Sequence, residues 1–232
     1  MLSFSQYLEE KLKLTLKYHD KLNPKLWKKD QLDPKVVDLL LDKAYDFAKF
    51  SNVDKSRIKD IVITGGNVNY NYTKFSDIDV HLMCDTSGLD SDELFEKKKE
   101  YSKKIADTKV AGYPLEFFAA SNEEHYPKGQ GVYSLLHNKW LIVPKHLDHV
   151  DTLSDPKTQD KIEHAIKYIK WLLKDGTLEE IEEYREKLHT GRAAGLHDAG
   201  EFSIENVMYK ELRNRGLLDK LKERSKILSK QG

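Results

Sequence analysis

Apolar residues recur along the amino-terminal half at the spacing that one face of a helix requires. Residues 4–18 carry Phe and Leu side chains at this spacing and are expected to form a helix. A second helix should begin at Asp33 and Pro34, because a capping residue followed by proline suits the first helical turn, and should run to about Phe50. A segment rich in Glu and Lys predicts a third helix between residues 90 and 112.

Short apolar runs bounded by polar or turn-forming residues predict β-strands. The predicted strands span residues 58–64, 78–83, 115–119, 132–136 and 139–143. His137 and Asn138 separate the last two runs, which predicts a hairpin with a two-residue turn. This order of elements indicates a sheet with helices on one face.

Every signal after Asp155 is helical. Asp155 is followed by Pro156 and should begin a helix that ends near Gly176. Thr177 and Glu180 have the spacing of a capping box and should begin the next helix. Two further helices are predicted over residues 203–216 and 217–228.

The sequence therefore predicts an α/β chain of the α+β kind, with a mixed β-sheet and a carboxyl-terminal helical subdomain. Residues 1–150 are expected to form the sheet domain with its amino-terminal helices. Residues 151–232 are expected to form the helical subdomain, to pack over the sheet and to close one side of a cleft.

Composition narrows the possible classes of protein. Basic and acidic residues balance at 39 each, which argues against nonspecific coating of nucleic acid. Cys84 is the single cysteine and has no intramolecular disulfide partner, which fits a reducing compartment. No apolar run approaches the length of a membrane span, so we expect a cytoplasmic protein that makes no membrane contact.

The candidate chemistry lies around two predicted strands. Gly65 and Gly66 end the first strand, and Asp77 and Asp79 lie at the start of the second. Alternate side chains share a face of a strand, so the two carboxylates should project together while Ile78 points into the core. Carboxylates held side by side repel each other, which makes sense chiefly as a seat for a divalent cation. Such oxygen ligands suit magnesium, which commonly also binds a substrate phosphate.

A family resemblance rests on these residues. Residues 61–66, an apolar run ending in two glycines, are followed about ten residues later by the Ser-Asp-Ile-Asp-Val of residues 76–80. This pattern resembles the nucleotidyltransferase superfamily typified by DNA polymerase beta. The resemblance places a third acid in a later strand, at Glu116, with Asp85 as the alternative. Family members usually have serine at the position of Gly66.

The resemblance implies a fold, an activity and a set of ligands. It implies a nucleotidyltransferase core over residues 1–150. It also implies that Asp77, Asp79 and Glu116 hold two Mg²⁺ ions and act on a bound NTP. The nucleoside monophosphate would pass to an acceptor hydroxyl with release of pyrophosphate.

The expected nucleotide-binding residues lie in two parts of the chain. Backbone amides of a glycine turn can approach a phosphate closely, and nearby polar or cationic side chains can bind its oxygens. The predicted set is Gly65, Gly66, Asn67 and Ser76 around the turn, with Lys210 and Arg213 from the helical subdomain.

The acceptor and some alternatives remain open at this point. RNA, a nucleotide, a protein side chain and a small molecule are all acceptors within the superfamily. Residues 205–232 carry eight basic against four acidic residues, a mild excess that leans toward a nucleic acid or nucleotide. A catalytically silent nucleotide-binding or regulatory module and a structural interaction protein are the rival hypotheses. The sequence leaves the oligomeric state open.

Overall fold

The structure is a computed structural model that describes residues 14–121, 126–146 and 152–230. Two units make up the chain: residues 18–146 form the sheet unit, and residues 1–17 join residues 147–232 in the helical unit. The predicted helix over residues 4–18 lies mostly outside the described residues. Its described end, residues 14–18, is not helical.

Eight strands lie among the described residues, and they form a ribbon and a larger sheet. The ribbon pairs β1 (Trp27–Lys28) with β2 (Gln31–Leu32). The strands of the larger sheet are, in chain order, β3 (Ile58–Thr64), β4 (Ile78–Cys84), β5 (Lys109–Val110), β6 (Tyr113–Ser121), β7 (Val132–Ser134) and β8 (Lys139–Ile142). Their order across the sheet is β5-β6-β4-β3-β7-β8. Strands β4 and β6 are parallel and the other neighbours antiparallel, so the sheet is mixed, as predicted.

Two helices of the sheet unit begin where the sequence predicts. Helix α1 (Pro34–Phe50) is capped by Asp33, whose carboxylate accepts a hydrogen bond from the backbone of Lys35. Helix α2 (Ser91–Lys104) is capped by Asp90 in the same way. Each cap satisfies an amide that has no partner within its helix, which explains the sharp start.

Aromatic rings join these helices to the sheet. Phe47 of α1, Tyr101 of α2 and Phe117 of β6 are buried, with ring centroids 5.2 to 5.7 Å apart. Burial of each such side chain contributes roughly 1.5–3 kcal/mol. This apolar layer also holds Ile78 and Val80 of β4. The alternate residues of β4 therefore point away from it.

The hairpin between β7 and β8 differs from the prediction. Ser134 pairs with Lys139, so four residues rather than two connect the strands, and the predicted two-residue turn is wrong. The backbone amide of Leu135 donates to Ile61 of β3, and the Leu135 side chain is buried. This contact draws Leu135 out of the hairpin ladder and lengthens the turn.

The helical unit contains four helices among its described residues. They are α3 (Pro156–Asp175), α4 (Leu178–Asp198), α5 (Ile204–Asn214) and α6 (Leu217–Leu228). The capping box of Thr177 and Glu180 is present, as predicted. Residue 15 belongs to this unit: the Thr15 amide donates to the buried carboxylate of Glu211, at 3.0 Å. Among the described helices, none combines the length and apolar character that crossing a bilayer requires.

Candidate functional site

Three carboxylates meet at one place in the sheet unit. Asp77, Asp79 and Glu116 each offer an oxygen, and these oxygens all lie within 4.8 Å of one another. All three side chains are partly exposed, so a solute can reach them. The structure thus brings together the acids that the sequence singled out.

Strand pairing produces this cluster. Asp79 of β4 lies beside Glu116 of β6 in the parallel register, and Asp77 precedes β4 by one residue. Burial of Ile78 and Val80 fixes which face of β4 the two aspartates share. A slip of one residue would turn both aspartates into the core, so the apolar residues determine the site.

The spacing of the carboxylates can be compared with what Mg²⁺ requires. Mg²⁺ binds oxygen at about 2.0–2.1 Å, so two ligands of one ion lie at most about 4.2 Å apart. Paired ions lie about 3.5–4 Å apart and spread their ligands further. A spread of up to 4.8 Å between the oxygens fits two Mg²⁺ ions. It also fits one Mg²⁺ ion after a small inward movement of the side chains.

Gly65 lies directly against the cluster. Its φ is +81°, in the region that favours glycine, and a Cβ at this position would lie 2.0 Å from Oδ2 of Asp79. Both the backbone conformation and the carboxylate therefore exclude a side chain. The turn has no side chain at residue 65, as predicted, and the carboxylate of Asp79 occupies the space where one would lie.

The second glycine of the turn faces Ser76. A Cβ at Gly66 would lie 2.9 Å from the Ser76 hydroxyl oxygen. Ser76 is buried, and its hydroxyl accepts a hydrogen bond from the amide of Thr73 at 3.0 Å. The Ser76 hydroxyl is thus a neighbour of the turn.

Asn67 supports the site from behind. The sequence suggested that this residue binds the nucleotide, but its side chain is buried and its Nδ2 donates to the backbone oxygen of Asp77 at 2.8 Å. Its Oδ1 accepts from Asn23 at 2.7 Å, and its backbone oxygen accepts from the indole of Trp27 at 2.8 Å. Asn67 therefore positions Asp77 in this structure.

Asn69 has a similar structural role. Its side chain is buried, donates to the backbone oxygen of Gly65 at 2.7 Å and accepts from the amide of Gly131 at 2.9 Å. Asn69 consequently braces the turn internally at Gly65 and holds it to Gly131, the residue before β7. The local sequence around these two asparagines gives no sign that they are buried.

Lys98 is a site residue that the sequence analysis missed. Its ammonium lies 3.1 Å from Oε1 of Glu116 and 3.6 Å from the ring centroid of Phe118. The Glu- and Lys-rich run around it suggested a solvated helix face. A signal was present: Lys98 is spaced from Leu94 and Tyr101 as residues of one helix stripe are, and that stripe faces the sheet.

His81 continues the face that bears Asp79. Its ring stacks on Phe118, with centroids 4.6 Å apart. On this face, the pair of Asp79 and Glu116 is followed by the pair of His81 and Phe118, so aromatic rings lie directly beside the carboxylates. A stacked imidazole extends the site with a flat, partly exposed surface.

The predicted cationic partners lie in the helical unit. Lys210 is buried, and its ammonium bonds to the carboxylate of Glu201. The Nε of Arg213 is buried, and among the described residues it has no hydrogen-bond partner. Contact of Lys210 and Arg213 with a nucleotide stays a prediction. Asp85, the alternative third acid, bonds to Ser87 beyond the far end of β4.

Comparisons with known proteins identify no relative of this chain. No family model, curated protein or solved structure matches the chain. Functional inference therefore depends on the carboxylate cluster, the glycine turn and the residues packed around them.

Proposed function

We propose that the chain is a magnesium-dependent nucleotidyltransferase that transfers a nucleoside monophosphate from an NTP to an acceptor hydroxyl. The observation that carries the proposal is the convergence of Asp77, Asp79 and Glu116 beside a glycine turn. Their resemblance to the polymerase beta superfamily supports the same chemistry. The predicted cytoplasmic location is part of the proposal, and the buried free thiol of Cys84 suits such a reducing compartment.

The reaction needs positioned groups more than covalent catalysis. The acceptor oxygen forms a bond to the α-phosphorus, the bond from this phosphorus to the bridging oxygen breaks, and pyrophosphate leaves with the electron pair. The acceptor proton passes to water. Bound Mg²⁺ would neutralise the triphosphate and lower the pKa of the acceptor hydroxyl.

The chain's own residues would supply geometry and charge. The three carboxylates would hold the metal ions, and Asn67 would keep the backbone of Asp77 in place. Amides of the turn at Gly66 and the hydroxyl of Ser76 could donate to phosphate oxygens, because no side chain at residue 66 stands between them.

The direct test measures pyrophosphate release from each of the four NTPs with Mg²⁺, in the presence of an RNA pool, nucleotides or small alcohols. Release should fall to background in a double variant, Asp77→Asn with Asp79→Asn. Asp107→Asn is the matched control, since Asp107 is an exposed acid outside the cluster. Equal release by the wild type and the double variant would refute the proposal.

A second candidate is a silent nucleotide-binding or regulatory module. The ion pair between Lys98 and Glu116 favours it, because a cation on the third acid opposes the two-ion arrangement that turnover requires, while Asp77 and Asp79 can still hold one ion with a bound NTP. Calorimetry with an NTP, with and without Mg²⁺, separates the candidates. Metal-dependent binding without turnover on any acceptor would support the module.

A further inference from the structure

A pocket with aromatic walls opens in the sheet unit outside the carboxylate cluster. Its volume is about 650 Å³, and its walls include His19, Trp27, Tyr70 and Tyr72. Small-ligand sites commonly measure about 300–1,000 Å³ and combine apolar walls with a few polar groups. The pocket therefore has the size and the character of a site for one small organic group.

Hydrogen bonds hold the walls in place. The rings of His19 and Tyr72 are nearly parallel, with centroids 3.9 Å apart. His19 also bonds through its ring Nε2 to the backbone oxygen of Tyr72, at 3.0 Å, and through its amide to the backbone oxygen of Tyr70, at 2.8 Å. A rigid aromatic wall loses little conformational freedom when a flat ligand binds to it.

One loop residue, Asn67, is hydrogen-bonded both to a wall residue of the pocket and to a residue of the carboxylate cluster. Trp27, a wall residue, donates to the backbone oxygen of Asn67, and the side chain of Asn67 donates to the backbone oxygen of Asp77. Tyr72 lies on the same loop, five residues before Asp77. A group bound in the pocket is therefore connected to the metal-binding acids through a short, hydrogen-bonded segment.

Charges at the pocket suit a small anion better than a long one. Lys21 and Lys29 are exposed lining residues that can meet a phosphate. Asp20 and Asp30 also line the pocket, so its formal charge is balanced. A balanced rim fits a single nucleotide or the end of a strand, whereas a long phosphate backbone requires a basic track.

We propose that this pocket binds the nucleobase of the acceptor, so that the acceptor hydroxyl belongs to a nucleotide or to the end of a single-stranded nucleic acid. Bases stack on aromatic side chains, and loss of one such contact weakens binding roughly 5- to 150-fold. Binding of a base stands on the pocket itself, while its role as the acceptor rests on the proposed transferase function.

The test measures binding of AMP, GMP, CMP and UMP without divalent cation, by calorimetry on the full chain. Tyr72→Leu keeps an apolar side chain but removes the ring, and should weaken binding about tenfold. Tyr72→Phe is the matched control and should bind like the wild type. Ribose 5-phosphate, which has no base, should bind weakly to all three proteins.

A second variant covers the case in which Tyr72→Leu fails to fold. Lys21→Glu with Lys29→Glu changes exposed residues, so folding should persist, and mononucleotide binding should weaken severalfold. A short single-stranded RNA, tested in parallel, identifies the source of the base. If the RNA binds more tightly than any mononucleotide, the ligand is the end of a nucleic-acid strand. If a mononucleotide binds more tightly, the ligand is a free nucleotide. Both results support a pocket for a base.

Failure of the pocket and failure of the transferase give different results. If no mononucleotide binds, or if the ring-removing and charge-reversing variants bind like the wild type, the pocket proposal is overturned even when transfer occurs. If transfer is absent but base binding depends on Tyr72, the pocket stands and the transferase proposal fails. Asp77→Asn should lose transfer and keep base binding.

Discussion

The two units of this chain use acidic residues in opposite ways. In the helical unit, Glu211 is fully buried and accepts hydrogen bonds from the amides of Thr15 and Leu16 and from the guanidinium of Arg215. In the sheet unit, Asp77, Asp79 and Glu116 crowd together and stay partly exposed.

The difference separates a structural charge from a charge for which we propose a function. A buried acid surrounded by donors holds elements together, and its removal leaves those donors without a partner. Carboxylates that crowd one another repel, so they do not stabilise the fold unless a cation joins them, as Lys98 joins Glu116 here. Residue type alone does not distinguish the two uses, but the surroundings do.

The largest expected effect is on chemistry in the sheet unit. Asp79→Asn keeps the shape of the side chain and removes a metal ligand, so transfer should fall at least about 10²-fold. The free energy of unfolding should change little, since asparagine keeps the size of the side chain and one acceptor oxygen. Pyrophosphate release and urea denaturation measure the two quantities. A large loss of stability would show that Asp79 is structural and would break the comparison.

The next effect is on the stability of the helical unit. Glu211→Ala should destabilise the protein by about 3–5 kcal/mol, because the buried amides and Arg215 lose their common acceptor. Urea denaturation measures this loss. Glu223→Ala is the control, since Glu223 is exposed and should change stability by less than about 0.5 kcal/mol. Equal stability of the two variants would contradict a structural role for Glu211.

Gly65→Ala sharpens the comparison within the sheet unit. The added methyl group would strain a backbone with φ +81° and ψ −166°, a conformation that is almost confined to glycine, by about 1–3 kcal/mol, and would also displace the carboxylate of Asp79. Gly88→Ala introduces a similar backbone strain, because φ is +72° there, but meets no atom within 4 Å. Binding of Mn²⁺, measured by electron paramagnetic resonance, should weaken in the first variant only. Equal binding would mean that Gly65 does not shape the site.

The smallest effect concerns Lys98. Lys98→Met should raise the affinity of the cluster for Mg²⁺ severalfold, since a competing cation is removed from Glu116. Metal-free stability should fall by less than about 1 kcal/mol, because the pair is partly exposed. Titration calorimetry measures the affinity, with Lys103→Met as an exposed control on the same helix. Weaker metal binding in Lys98→Met would assign Lys98 a supporting role instead.

Local signals predicted much of this fold. Asp33, Asp90 and Asp155 cap helices where the sequence placed helix starts, because capping depends on the few residues around each turn. The alternation of polar and apolar residues around Asp77 and Asp79 predicted that the two side chains share a face, because this too depends only on neighbouring residues. Glu116 came from the family resemblance, and the parallel register then placed it beside Asp79.

Long-range contacts account for what the sequence did not predict. Asn67 and Asn69 are polar loop residues, and their burial depends on partners from distant segments, Asn23 and Gly131. The hairpin turn was wrong because Leu135 bonds to a neighbouring strand. Neither the burial of these asparagines nor the hydrogen bond of Leu135 can be predicted from the pattern of neighbouring residues.

The parallel pairing of β4 with β6 has a consequence for how the protein matures. Parallel neighbours require a crossover, and here the intervening chain includes all of α2. Asp79 and Glu116 therefore become neighbours only after a distant segment has returned to the sheet, a slow, nonlocal step. If the cluster binds Mg²⁺ as proposed, a newly made chain should acquire this affinity in one step, when this crossover closes.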